Sequence, residues 1–321
     1  MSDSHPPTRN PPLISAGFVL LAAALWGTLG TLYKAAADAY GLTPVTIVFW
    51  RAALAALGLG FALLVVVPLA GGGWRRLRVP VADWPLFITF GLLGVTAFYF
   101  LYIYAVLLVG VAVSVVLLYT SPVFVAVLSW RFLGEPFRRR KTLALILTLT
   151  GCILVARAYD PSLLQLNWLG ILCGLGSGFT YALYSILGKF SLHRGYTIGV
   201  MSFYVYSIGA VGLLAISFFG EGGVDALFSV EDPGAWLLLS AVALFATIGG
   251  LYLYTAGLRH LQAGVASILA TFEPVVATSL AFFVVGEKIE WPQIVGGCMI
   301  ITSVLVVQRR RRLLISKLKE Y

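Results

Sequence analysis

Leu117-Leu118-Tyr119-Thr120-Ser121-Pro122, with Gly134-Glu135 beginning twelve residues after the proline, occurs twice in this chain in diverged form. The second copy is Leu269-Ala270-Thr271-Phe272-Glu273-Pro274, and Gly286-Glu287 follows at the same distance. The offset of 152 residues (274 − 122) also aligns Trp84 with Trp236. A related offset of 155 residues (181 − 26) aligns the segment from Trp26 to Lys34 with that from Tyr181 to Lys189. The chain therefore consists of two homologous halves.

The composition places both halves in a membrane. Of the 321 residues, 60% are hydrophobic and 11% are charged, and the mean hydropathy is +0.95. A soluble protein of this size could not bury so much apolar surface. The apolar runs are unalternated and about 20 residues long, which is the length of a spanning helix and about twice that of a barrel strand. The sequence predicts an all-α integral membrane protein.

Hydropathy predicts ten transmembrane helices, arranged as two repeats of five. The first repeat covers residues 13–157 and the second covers 158–308. Residues 1–12 are predicted to be a disordered cytoplasmic tail, and 309–321 a basic cytoplasmic tail. The predicted spans are 13–36, 43–68, 84–106, 110–132, 139–157, 167–189, 197–219, 234–258, 264–285 and 290–308.

The basic residues predict the orientation. The net charge is +9. When Lys and Arg are assigned to alternate loops, 18 fall on the side of the termini, and Arg157 and Lys288 on the other. The positive-inside rule therefore predicts that both termini are cytoplasmic. Because each repeat has an odd number of helices, the second repeat is inverted relative to the first. The basic end at Arg309–Arg312 is explained as a stop after the last span, and no nucleic-acid partner is expected.

Three motifs carry a family resemblance: Leu25-Trp26-Gly27, Phe49-Trp50-Arg51-Ala52, and the two copies of proline followed by Gly-Glu. In this order and spacing the chain resembles the drug/metabolite transporter superfamily, specifically its ten-helix exporters with two EamA-type repeats. Its aromatic residues make it most similar to the bacterial aromatic amino acid exporters. The resemblance implies an exporter in the bacterial inner membrane that works by alternating access. It also implies a pathway between the repeats, lined by spans one, three, four, six, eight and nine.

Aromatic and polar residues concentrate in those spans. Aromatic rings in mid-membrane can stack on a substrate while their hydroxyl groups orient its polar groups. Tyrosines near span ends can instead belong to the interfacial belt, which is the interpretation favoured for Tyr104 and Tyr206. The expected substrate-binding residues are Trp26, Tyr99, Tyr102, Tyr119, Tyr181, Tyr184, Tyr252 and Glu273.

Two prolines and two charges have further predicted roles. Pro122 and Pro274 are expected to be paired hinges, with a static packing kink as the alternative. Glu273 is the deepest charge, so it can carry a proton or receive a substrate ammonium group, or it can have a structural role shared by the family. Arg51 is expected to lie off the pathway in a packing ion pair.

The leading hypothesis is a secondary transporter that exports amino acids, most simply aromatic or other bulky neutral ones, or related metabolites. The alternative is a multidrug or nucleotide-sugar carrier of the same superfamily. An enzyme is not expected, because His5, His193 and His260 lie in the tail or at loops and no catalytic constellation is visible. No cofactor or metal is expected, because the three cysteines lack metal-ligand spacing. The expected partners are a small-molecule substrate and membrane lipid, and a monomer could hold a complete pathway.

Overall fold

The computed structural model describes residues 12–69, 77–161, 167–218, 223–286 and 288–317. Within these ranges the chain is helical and contains no β-strand. The first half supplies α1 to α7: Pro12–Gly27, Leu29–Tyr40, Pro44–Leu69, Trp84–Gly91, Phe98–Leu118, Ser121–Leu133 and Arg139–Val155. The second half supplies α8 to α15: Trp168–His193, Ile198–Ser217, Asp225–Phe228, Pro233–Ala241, Gly250–His260, Ala263–Ala270, Glu273–Leu280 and Trp291–Lys317. Glu287 of the second signature, residues 1–11 of the first predicted tail and residues 318–321 of the last lie outside the described residues.

Eight continuous helical stretches of the described chain are long and apolar enough to cross a membrane. One of them, Val81–Leu118, has 38 residues and combines the predicted third span with the start of the fourth. Gly110 interrupts it with φ 76° and ψ 168°, a conformation that only glycine adopts readily. The predicted fourth span continues in α6 with 13 residues, and the predicted fifth is α7 with 17. The count of ten spans remains a prediction.

The helix interruptions repeat with the sequence offset. A two-residue turn at Tyr119–Thr120 separates α5 from α6, and the turn at Thr271–Phe272 separates α13 from α14. Likewise, π-helical segments occupy Leu92–Ala97 in the first half and Val242–Gly249 in the second. Since side chains differ between the halves while the interruptions coincide, the two halves share one backbone design.

From the sequence, Pro122 and Pro274 were expected in the interior of the fourth and ninth spans. In the structure, neither lies in the interior of a helix. Each occupies the first turn of the helix that follows an interruption, α6 or α14. Proline fits there because the first N–H groups of a helix have no intrahelical partner. A threonine at each turn satisfies a freed carbonyl: the hydroxyl group of Thr120 donates to Leu117 O, and that of Thr271 to Ile268 O, both at 2.6 Å.

The two halves pack against each other along their whole length. The main contacts between them pair α5 with α8, α3 with α9, α1 with α12 and α14, α6 with α13, and α7 with α15. Glycine lets α8 approach α5 closely. A Cβ added at Gly174 would lie 2.5 Å from Leu117 Cδ1. We refer to the interface between the halves as the seam.

A buried ion pair joins the halves at the end of α6. The Glu135 carboxylate accepts hydrogen bonds from the backbone N–H groups of Ala263 at 2.6 Å and Gly264 at 3.2 Å. Lys141 Nζ lies 3.4 Å from the same carboxylate. The carboxylate therefore satisfies the first N–H groups of α13.

The backbones of α7 and α15 approach each other closely. A Cβ added at Gly151 would lie 2.7 Å from the carbonyl oxygen of Gly296. Further along the same pair, the hydroxyl groups of Thr148 and Ser303 are hydrogen-bonded at 2.9 Å.

Candidate functional site

An aromatic group lies on the seam where α1 meets the second half. The Trp26 ring is 5.4 Å from the ring of Tyr254 on α12 and 6.4 Å from that of Tyr181 on α8. Trp26 and Tyr254 are buried, and Tyr181 is partly exposed. The hydroxyl groups of Tyr254 and Ser185 are hydrogen-bonded at 2.8 Å. These contacts bring aromatic residues from both halves together at the seam.

Phe98 extends this group into α5. Its ring is 5.8 Å from Tyr181 and stacks on Tyr102 at 6.3 Å with an interplanar angle of 14°. It also lies 5.0 Å from Tyr99. Phe98 and Tyr102 are partly exposed although both lie well inside a long apolar helix that packs against α8. Aromatic surface is therefore available at the seam for a bound solute.

Arg51 is the cation of this group. Its Nε donates to Thr247 Oγ1 at 2.7 Å and its Nη1 donates to the hydroxyl group of Tyr33 at 2.9 Å. The guanidinium lies 5.2 Å from the centre of the Tyr99 ring, a cation–π distance. These partners come from α2, the π-helical segment Val242–Gly249, and α5. Arg51 therefore lies at the seam, and the expectation that it lies off the pathway stays a prediction.

The expected packing ion pair of Arg51 is not found among the described residues. The salt bridges formed by the described residues join Lys141 with Glu135, Arg157 with Asp160 and Glu290, and Arg194 with Asp83. Arg51 is held instead by two neutral hydroxyl groups and an aromatic face.

Glu273 is the acid of the group. It is the first residue of α14, where the helix dipole favours a negative charge. The Tyr119 hydroxyl group and the Arg51 guanidinium both lie close enough to interact with its carboxylate. Tyr102 and Tyr181 also lie within electrostatic range of Glu273. The side chain is enclosed by the bundle yet retains some exposed surface, as expected for a group that lines an internal opening.

The structure brings most of the expected site residues together. Trp26, Tyr99, Tyr102, Tyr119, Tyr181 and Glu273 all belong to the group, which we call the seam site together with Arg51, Phe98 and Tyr254. Tyr184 lies behind it, buried against Phe90 at a ring distance of 4.8 Å. Tyr252 makes none of these ring or hydrogen-bond contacts, and the residue is 55% exposed, so it is not counted in the seam site.

Several residues of the seam site and its surroundings were not predicted from the sequence. Tyr254 faces Trp26 from the helix on which Tyr252 had been chosen. Tyr206, expected in the interfacial belt, is buried and lies within interaction range of Tyr99. Arg51 had a usable signal, because an ionisable residue within an apolar span is a functional candidate by default. Tyr33, Phe98 and Thr247 carried no distinguishing signal in the sequence.

A metal centre is not apparent in the part of the chain that the structure describes. Within the described ranges, no three His, Cys, Asp or Glu side chains are grouped so that they could hold an ion. Cys152 is buried, Cys173 is partly exposed and Cys298 is exposed, and all three are free thiols.

Comparison with known proteins assigns the family. The model of the EamA-like transporter family matches residues 13–157 and 168–309. The chain belongs to the EamA-like transporter family. This family is part of the drug/metabolite transporter superfamily, and its two matches cover the two halves of the chain. The protein is therefore a multi-pass membrane protein of a transporter family.

Relatives occur in distant organisms. The chain is 27% identical over 296 residues to the uncharacterized transporter YwfM of Bacillus subtilis, covering 92% of this chain and 94% of YwfM. It is 32% identical over 222 residues to an uncharacterized transporter of Archaeoglobus fulgidus, covering 68% and 76% of the two chains. It is 26% identical over 259 residues to human solute carrier family 35 member G1, covering 76% and 67%.

A solved structure shares the fold. One crystal structure superposes on this protein with a TM-score of 0.76. The superposition covers 94% of this chain and 98% of the other. Only 18% of the residues are identical, so this likeness concerns the fold alone.

Proposed function

We propose that this protein is a secondary transporter that exports amino acids, aromatic or other bulky neutral ones, across the bacterial inner membrane. The proposal is carried by the seam site, where aromatic rings, one buried cation and one carboxylate meet between two repeats. Secondary transporters with inverted repeats bind their substrates at the repeat interface. Aromatic rings match an apolar side chain, and the two charged groups match the polar end of an amino acid.

Transport would proceed by alternating access in a bundle of ten helices with both termini in the cytoplasm. The offset interruptions before Pro122 and Pro274 support this mechanism, because a helix that is already broken can change direction there without losing further hydrogen bonds. One bundle contains both halves of the seam site, so a monomer is sufficient. No nucleic acid, cofactor or catalytic step has a role in this mechanism.

The alternative substrates are drugs or nucleotide sugars. A nucleotide sugar carries two phosphate charges, which would call for several cations at the site. Arg51 is the cation that the described residues of the seam site contribute, and this favours a substrate with a single carboxylate. The similarity to human solute carrier family 35 member G1 does not by itself favour one of these substrates.

The decisive experiment is counterflow in proteoliposomes. Purified protein is tested with a panel of labelled amino acids, with a nucleotide sugar and a cationic dye as controls. Saturable counterflow of aromatic or bulky neutral amino acids, absent from protein-free liposomes, is the expected result. Counterflow of the sugar or the dye alone would refute the proposal.

A further inference from the structure

Arg51 has hydrogen-bond partners but takes part in none of the salt bridges among the described residues. The residue is buried, with 8% of it exposed, and its described contacts Tyr33, Thr247 and Tyr99 are all neutral. Hydroxyl groups and an aromatic face orient a guanidinium without neutralising it. A buried cation without a directly bound anion is costly in a membrane protein. An anion that binds at the seam from outside the protein would lower this cost.

The guanidinium also has donors to spare. Arginine carries five N–H groups in a planar fork that matches a carboxylate. The contacts with Thr247 and Tyr33 use Nε and one N–H of Nη1. These two contacts approach from different elements and fix the plane of the fork. Further N–H groups on Nη1 and Nη2 are therefore held in a defined direction.

Glu273 is the acid of the seam site whose charge interacts with that of Arg51. None of the salt bridges among the described residues includes either side chain, so the two charges are not in direct contact. The Tyr119 hydroxyl group also lies within interaction range of the Glu273 carboxylate. The seam site therefore presents a separated cation and anion with the aromatic rings of Phe98, Tyr102 and Tyr181 beside them.

We infer that Arg51 is a specificity-determining residue that binds the carboxylate of the transported amino acid, while Glu273 receives its ammonium group. This inference rests on the proposed function and adds a residue to it. A zwitterion supplies both missing counter-charges at once, whereas a simple amine or a simple acid supplies one. The transporter would therefore discriminate against solutes that lack either charge.

The test uses three solutes with one common ring: L-phenylalanine, 2-phenylethylamine, which lacks the carboxylate, and 3-phenylpropanoate, which lacks the ammonium group. KM and maximal rate are measured by counterflow for the wild type, Arg51→Gln, Arg51→Lys and Glu273→Gln. Arg194→Gln is the matched control, because Arg194 is paired with Asp83 away from the seam site.

In the wild type, phenylalanine should have the lowest KM. Arg51→Gln should raise the KM for phenylalanine about tenfold or more, since a charge-assisted hydrogen bond is lost, and should leave the KM for 2-phenylethylamine unchanged. Arg51→Lys should retain part of the preference for phenylalanine over 2-phenylethylamine, because lysine keeps the positive charge but lacks the planar guanidinium. Glu273→Gln should raise the KM for phenylalanine and leave that for 3-phenylpropanoate unchanged, so the two KM values should become more similar. Arg194→Gln should resemble the wild type.

The outcomes separate this inference from the proposed function. If the wild type transports no amino acid, the proposed function fails. If the wild type transports phenylalanine and Arg51→Gln raises the KM of all three solutes equally or of none, Arg51 is a structural residue and the inference fails. Should Arg51→Gln not fold, Arg51→Lys decides: a higher KM for phenylalanine with an unchanged KM for 2-phenylethylamine supports the inference, and equal changes overturn it.

Discussion

The Glu135 carboxylate accepts a hydrogen bond of 2.6 Å from the backbone N–H of Ala263, 128 residues further along the chain. This contact gives the Gly134-Glu135 signature a physical purpose. Gly134 ends α6 in the left-handed conformation, with φ 65°, and Glu135 then turns towards the start of α13. A motif in the first half thus provides the hydrogen-bond acceptor for the first N–H groups of a helix in the second half.

Glu135→Ala should destabilise the protein strongly. It would leave Lys141 buried without its carboxylate and the N–H groups of Ala263 and Gly264 without an acceptor. Removal of one partner from a buried pair costs about 3–5 kcal/mol. The measurement is thermal unfolding of purified protein in detergent.

Glu290→Gln is the matched control for that experiment. Glu290 pairs with Arg157 at 2.6 Å, but both side chains are about 40% exposed, at 40% and 38%. An exposed pair contributes at most about 1 kcal/mol. Equal losses of stability in the two variants would show that the Glu135 contact is not a buried ion pair in solution.

Tyr254→Ala should impair counterflow, whereas Tyr252→Ala should not. Tyr254 is fully buried against Trp26 and is hydrogen-bonded to Ser185, while Tyr252 is exposed on the same helix. Loss of the buried ring removes a wall of the seam site, and a buried aromatic residue typically stabilises by about 3–5 kcal/mol relative to alanine. Tyr254→Phe keeps the ring and should retain most of the folded yield. The reverse pattern of activity would mean that the transport path follows the outer surface of α12.

Glu273→Gln should abolish any pH dependence of counterflow if Glu273 exchanges protons during transport. The amide cannot ionise between pH 5 and 9, whereas the carboxylate can. Initial rates are measured over that range for the wild type, Glu273→Gln and Glu290→Gln as a control for an acid outside the seam site. A pH profile that is the same in Glu273→Gln and the wild type would end the idea of proton coupling through this residue.

Pro122→Ala and Pro274→Ala should lower the maximal rate severalfold while changing stability by less than about 1 kcal/mol. Both prolines stand in the first turn of a helix, where alanine is tolerated, so the fold should survive. Alanine would let the helices continue across the turns and stiffen the two interruptions. Pro85→Ala is the control, because Pro85 also stands in a first turn but outside these interruptions. An unchanged rate in both variants would favour a static role.

The sequence predicted the membrane-embedded helices and the two halves because these features depend on patterns along the chain. The duplicated proline positions even located the two interruptions. The sequence could not show that Pro122 and Pro274 begin new helices, because that depends on the turns at Thr120 and Thr271. A proline in an apolar run has the same appearance at a kink and at a helix start.

The composition of the seam site was harder to predict than the fold. Tyr252 and Tyr254 are only two positions apart, yet an α-helix turns about 100° per residue, so they point in nearly opposite directions. Hydropathy cannot choose between them when all sides of a helix are apolar. The contacts of Arg51 could not be predicted for a related reason: its neighbours Thr247 and Tyr33 come from segments 196 and 18 residues away.

At Gly151 and Gly296 there is no space for a side chain between α7 and α15. The carbonyl oxygen of one helix faces the backbone of the other at this point. Because α7 and α15 come from different repeats, a displacement of one repeat relative to the other would have to open this contact or turn about it.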